Sequence, residues 1–251
     1  MKRYLWMLCL LLVGPASLAA QDARALLRSA LAAHGVTTAL PTDIVAAGTI
    51  TRDAGRSEPY TVYVQGNRIR YEIGTRETLT VSIFAGTDAW VSSGQKVRSL
   101  QLETSKRRPS LFPFLDLITE VNNPNAEVTY RGAATLGLSS VQHVSVRLPN
   151  PVPQPRSWRG IPDEEVDLYL DPQTLAIMRS ERLRTAEDNL ELRVPSVLEF
   201  ADYRNVNGLA VPFRIVNTSG TAEHGLHRSV VVWDRVTING GVSDTLFQPA
   251  R

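Results

Sequence analysis

The sequence predicts a mainly β chain of the α+β class, built as a strongly curved antiparallel sheet or half-barrel with a few short helices over its concave apolar face. Three observations carry that prediction. Apolar residues alternate with polar ones over most of the chain, turn signals recur at short intervals, and only two segments have helical spacing. Parallel strands would need long crossovers between them, so the short turns favour an antiparallel meander of roughly a dozen strands.

The elements follow in chain order. Lys2 and Arg3, the apolar run Leu5 to Val13 and the small-residue stretch Ala16-Ser17-Leu18-Ala19-Ala20 have the three parts of a secretory signal peptide. Residues 1–20 are therefore expected to be cleaved, leaving residues 21–251 as a single domain. The apolar run is shorter than the ~20 residues a bilayer core needs. Asp22 to Gly35 reads as a short amphipathic helix, with Leu27, Ala30 and Leu31 at helical spacing and a terminal glycine. Strands follow at Ile69-Tyr71-Ile73 and Leu79-Val81-Ile83. They return at Val144-Val146-Leu148, Val166-Leu168-Leu170, Leu190-Leu192-Val194 and Val211-Phe213-Ile215. The second helical segment is Leu111 to Glu120, expected to start behind Pro109-Ser110.

Removing the signal changes what composition implies. The whole chain has 27 basic and 25 acidic residues, and Lys2 and Arg3 leave with the signal, so the mature balance is 25 against 25. A formally neutral chain has no global field to gather nucleic acid. The one cysteine, Cys9, lies in the signal, which removes disulfides, thiol nucleophiles and cysteine-bound zinc from the mature protein.

An extended sheet with one apolar face must hide that face from water, and two short helices cannot cover it all. Either the sheet curls around an apolar cavity, or two layers pack solid as a sandwich. By alternation, Ile69, Tyr71, Ile73, Leu79, Val81, Ile83 and Phe213 are the candidate lining of such a cavity. Leu111, Phe112, Phe114 and Leu115 are candidates for its lid, joined by Trp158 from the proline-rich stretch Pro149 to Pro162. As core packing or a plain linker, the same residues would look no different.

Other chemistry finds little support. His224 and His227 lack an acidic or cysteine companion, and His34 and His143 have no visible triad partners, so no metal site and no cofactor is expected. Lys106-Arg107-Arg108 reads as a solvated loop or a headgroup contact. No nucleophile elbow, phosphate loop or zinc-protease motif occurs, and the chain is expected not to be an enzyme.

Three segments carry a resemblance: VDLYLDPQTLAIMR (Val166 to Arg179), DYRNVNGLAVPFRI (Asp202 to Ile215) and VTINGGVSDTLFQP (Val236 to Pro249). With the opening helix, they resemble the periplasmic lipoprotein-carrier superfamily of LolA/LolB-like proteins, over about Asp22 to Arg251. The resemblance implies a half-barrel closed by helices that holds acyl chains of a lipid or lipidated protein and ferries them across the periplasm toward the outer membrane. It also implies membrane donor and acceptor partners. A soluble, monomeric carrier fits better than an anchored receptor, because the mature chain has no cysteine to lipidate. Well-known members keep an inner-strand arginine that helps hold the lid shut. Arg68, Arg70, Arg147 and Arg214 all sit at polar-face positions and offer no secure equivalent. Two alternatives stay open: a non-catalytic envelope interaction or sensory module on the same fold, and an outer-membrane barrel.

Overall fold

The computed structural model describes residues 15–37, 40–53, 55–85, 88–94, 96–99, 111–148, 164–185, 193–221, 223 and 225–248. Helix α1 (Pro15–Ala33) leads into strands β1 (Asp43–Arg52), β2 (Ser57–Gln65), β3 (Arg68–Ile73), β4 (Thr80–Ala85), β5 (Asp88–Ser93) and β6 (Lys96–Ser99). Helix α2 (Pro113–Asn122) then precedes β7 (Glu127–Leu136), β8 (Ser139–Leu148), β9 (Glu164–Leu170) and β10 (Ile177–Thr185). Strands β11 (Arg193–Val206), β12 (Leu209–Gly220) and β13 (Leu226–Ile238) complete the sheet, and a 3₁₀ turn (Asp244–Phe247) ends the described chain.

All 13 strands belong to one curved antiparallel sheet, in the order β6-β5-β4-β3-β2-β1-β13-β12-β11-β10-β9-β8-β7. Two meanders are thus joined where β1 pairs with β13. The connection from β6 to β7 is the one that crosses the sheet, and it carries α2. Because β6 and β7 remain as two edges, the sheet is an open half-barrel. That differs from a membrane barrel, which must close to satisfy its edge hydrogen bonds.

Helix α1 forms for the reason its spacing suggests. Ala23, Leu27, Ala30 and Leu31 make one buried stripe. It ends in a Schellman motif, with Gly35 N–H donating to Ala32 O at 2.9 Å and Val36 N–H to Leu31 O at 3.1 Å. Gly35 has φ +85, and a Cβ there would lie 2.0 Å from Gly208 O, so glycine both turns the chain and lets the helix end touch the β11–β12 hairpin. Helix α2 starts two residues later than the sequence predicts. Phe112 holds the N-cap position without a side-chain cap bond, and Pro113 opens the first turn, where its missing N–H costs nothing.

The main core lies between the concave face and the two helices. A smaller cluster of Val81, Ile83 and Phe247 sits apart, with Tyr63, Leu79, Trp90, Val242 and Leu246 against it. The chain end is strapped there by polar ties: Arg68 to Asp244 at 2.6 Å, and Arg70 Nη1 donating to Leu246 O at 2.8 Å. Among the described residues, no helix is long and apolar enough to cross a membrane.

Candidate functional site

Register decides which side chains reach the concave face. Directly paired residues of antiparallel strands share a face. Tyr71 pairs with Val62 on one side and with Ser82 on the other, Ile69 pairs with Phe84, and Ile73 with Thr80. Ile69, Tyr71 and Ile73 therefore join the main core, together with Phe84. Val81 and Ile83 pair with Glu72 and Arg70 and point the other way, as does Leu79 by its packing. The expectation that Leu79, Val81 and Ile83 line the same face as β3 is corrected here: they sit under the C-terminal strap. Phe213 is buried in the main core, with the Arg204 guanidinium 4.2 Å from its ring centre.

An aromatic track runs along the concave floor. Tyr60 stacks on Trp233 at 5.4 Å, Tyr71 lies 6.3 Å from Tyr60, and Phe84 meets Tyr71 edge-on at 6.0 Å. The lid seats itself on this track. Phe112 lies 6.4 Å from Trp233, nearly parallel to it, and 6.2 Å from Phe114. Phe112, Phe114 and Leu117 are fully buried, while Leu111 and Leu115 are half-buried against the same core. Among the described residues, the lid side chains pack directly on the floor, which fits solid packing there as the sequence allowed. One cavity under α2, walled by Asp116, Glu120, Leu168, Ser180, Arg182 and Phe200, measures about 10 Å³, room for a single water. Trp158, the stretch 149–162, Lys106 to Arg108 and His224 lie outside the described residues.

Polar ties fasten this cover. Arg24 of α1 donates to Val121 O at 2.7 Å at the end of α2, and to Asn123 O at 3.2 Å and Ala126 O at 2.5 Å in the turn that follows it. Arg182 of β10 reaches up from the sheet to Asp116 of α2, Nη2 to Oδ2 at 3.2 Å, with its side chain only 6% exposed. Arg68, Arg147 and Arg70 stay on the outer face, paired with Asp244, Glu127 and Glu72. The inner-strand arginine joined to the lid is Arg182, and simple alternation hides it. A bulge between Ile177 and Arg179 shifts the register of β10, so Ile177, Ser180 and Arg182 all turn inward.

His34 closes the other end. Its Nδ1 lies 3.1 Å from Ala210 O, and its Nε2 accepts from Ile177 N–H at 3.4 Å. That pair of contacts fixes a neutral ring protonated on Nδ1. Burial holds its pKa below the usual histidine value, against the smaller opposing effect of the Ala210 bond. Tyr203 packs on it at 5.4 Å and donates its hydroxyl to Ile177 O at 2.6 Å; burial raises the phenol pKa. His143 instead lies on the outer face, 2.7 Å from Asp167 and stacked on Tyr169. Among the described residues, no group of acidic, histidine or cysteine side chains is placed to hold a metal ion.

Ser196 Oγ, Asn217 Oδ1 and Trp233 Nε1 are among the buried polar atoms of the sheet that find no hydrogen-bond partner among the described residues. Each such orphan costs about 1–3 kcal/mol. Sequence reasoning missed all three, since a serine or asparagine in a strand carries no sign of which face it will take.

Solved structures share this architecture. A DUF1329 family protein from Desulfovibrio piger matches with a TM-score of 0.58 and 12% identity, covering 92% of this chain and 97% of that one. A putative outer membrane lipoprotein-sorting protein domain from Vibrio parahaemolyticus follows at 0.56 and 12%, covering 91% and 97%. A LolA superfamily protein from Nitrosomonas europaea matches at 0.53 and 14%, covering 90% and 97%. The fold is LolA-like. No family model matches the chain, and no curated protein does. At such identities the likeness lies in the LolA-like fold, and the chemistry must be argued from this chain's own residues.

Proposed function

We infer that this protein is a carrier or binding protein for the acyl chains of a lipid or lipidated protein. One observation carries the reading: the apolar concave face of a LolA-like half-barrel is roofed by helices whose contact with it is made by side chains an acyl chain could replace. The roof is fastened by the Arg24 ties and the Arg182–Asp116 pair, which can open without disturbing the sheet's hydrogen bonds. The ligand's chains then lie along Tyr60, Tyr71, Trp233 and Phe213, with Ile69 and Ile73 beside them and Leu111, Phe112, Phe114 and Leu115 above.

Residues 1–20 act as an export signal in this reading, and residues 21–251 work as one soluble, monomeric domain in the periplasm. It receives its cargo from one membrane partner and passes it toward the outer membrane. Holding and releasing an acyl chain needs no bond-making, so the role is non-catalytic.

The test is uptake of single-chain amphiphiles of increasing length by the purified mature chain, read by native mass spectrometry. Burial of each methylene is worth about 0.8 kcal/mol, so affinity should rise about fourfold per CH₂. Failure to take up any long-chain amphiphile would remove the carrier reading.

A further inference from the structure

The concave wall contains a polar cluster that acyl chains alone do not explain. Arg182 and Ser196 are directly paired across β10 and β11, and Ser180 and Asn217 are each paired with Leu198 one step further along. Ser180 and Arg182 line the small cavity beneath α2, and Asp116 and Glu120 face them from the lid. Ser196 is 2% exposed, yet its Oγ has no partner among the described residues, and neither does Asn217 Oδ1. Sequestering a guanidinium and orphan polar atoms in an otherwise apolar wall is expensive, and packing alone would be better served by leucines.

We propose that this cluster is a headgroup site for an anionic lipid, in which Arg182 binds the ligand's phosphate or carboxylate and Ser196, Ser180 and Asn217 complete its hydrogen bonding. The proposal rests on the carrier reading and names its cargo class. The charge balance of the lid supports it. Asp116 is part of α2 and leaves with it, so opening takes this carboxylate away from Arg182, beside Ser180 and Ser196 on the sheet. The Asp116 carboxylate is thus the lid's own stand-in for the ligand anion, held by a single Nη2–Oδ2 contact at 3.2 Å. Asn217 can turn its amide so that the NH₂ rather than the oxygen faces an anion. Lid and anionic headgroup compete for one arginine, which couples loading to opening.

The experiment incubates the mature chain with equimolar phosphatidylglycerol and phosphatidylcholine vesicles of matched acyl chains, then quantifies the protein-bound lipid after extraction. Wild type should be enriched in phosphatidylglycerol by about tenfold, the scale of a charge-assisted hydrogen-bond set. Asp116→Asn should raise phosphatidylglycerol uptake selectively, whereas a lid merely loosened would raise both lipids alike, and that result would overturn the proposal. Arg182→Gln alone leaves Asp116 and the buried Glu120 opposite without this cation and could unfold the chain. The paired variant Arg182→Gln/Asp116→Asn, checked by thermal melting, should bring the lipid ratio down to near one. Uptake of both lipids by wild type without preference overturns the headgroup site and leaves the carrier reading standing. Uptake of neither removes both. Competition by millimolar inorganic phosphate or glycerol phosphate as strong as that by phosphatidylglycerol vesicles would show a site for free anions and overturn the lipid assignment.

Discussion

Replacing Arg24 by alanine tests how the roof is held. Alanine is the best helix former, so α1 itself loses nothing in propensity. What disappears is one guanidinium serving three carbonyls at 2.7, 3.2 and 2.5 Å, at the end of α2 and in the turn after it. Hydrogen bonds to a charged donor contribute about 1.5–3 kcal/mol each. These bonds are only part-buried, and freed carbonyls rehydrate, so the total is discounted to about 2–3 kcal/mol. For a domain of this size each kcal/mol moves the melting temperature by about 2–4 °C, which gives a fall of about 4–12 °C. Circular dichroism melts measure it. Hydrogen exchange should quicken in α2 while β12 and β13 stay protected, because the sheet does not depend on this tie. Arg24→Lys should recover only part of the loss, since a single ammonium cannot span three acceptors. A melting temperature for Arg24→Ala within about 1 °C of wild type would refute the argument that this residue fastens the lid.

Two further predictions concern the frame. Gly48 faces Trp233 across β1 and β13, and a Cβ there would lie 2.0 Å from Val232 O and 2.7 Å from Trp233 Cα. Gly48→Ala should cost about 3 kcal/mol or more, because backbone rather than a flexible side chain must yield; a urea midpoint equal to wild type would contradict this. His34 should make stability pH-dependent. Its folded-state pKa is depressed below 6.5, so the unfolded chain takes the proton first, and the stability that is full above pH 6.5 declines as pH falls below that value. Urea titrations across that range should show the decline, and a variant His34→Gln should lack that component; an unchanged slope would remove His34 as its source.

The gross architecture was legible because period-two alternation, short turns and the helical stripe of α1 are local signals, and each is enforced by burial. The site was less legible for a definable reason: sidedness is not local. The six-residue connection from Ile73 to Thr80 sets a register in which odd residues of β3 share a face with even residues of β4, so Ser82 and Phe84 go inward where Val81 and Ile83 had looked equivalent to Tyr71. The bulge after Ile177 does the same to Arg182, turning inward a charge that alternation assigns to solvent. Lid residues Phe112 and Phe114 were readable as apolar and placed near a glycine-free helix start, but their filling of the floor follows from the curvature of all 13 strands.

A lid packed on its floor and a carrier are reconciled by exchange. Phe112, Phe114, Leu117 and Val121 of the lid are buried, and fully burying such side chains is worth about 1.5–3 kcal/mol apiece, so lifting them costs about 6–12 kcal/mol. An acyl chain of about 15 methylenes supplies about 12 kcal/mol on leaving water. The lid thus returns half or more of that energy and leaves about 0–6 kcal/mol, which is what a shuttle requires. A dry open cavity would bind a chain so tightly that no acceptor could remove it, whereas a floor already occupied by phenylalanines returns most of that energy when the lid closes again. Release then turns on the small remainder, and the remainder is set by polar ties such as Arg24 to α2 and Arg182 to Asp116. On this account the apolar face determines that long chains bind, and the few buried charges determine which ones and when they leave.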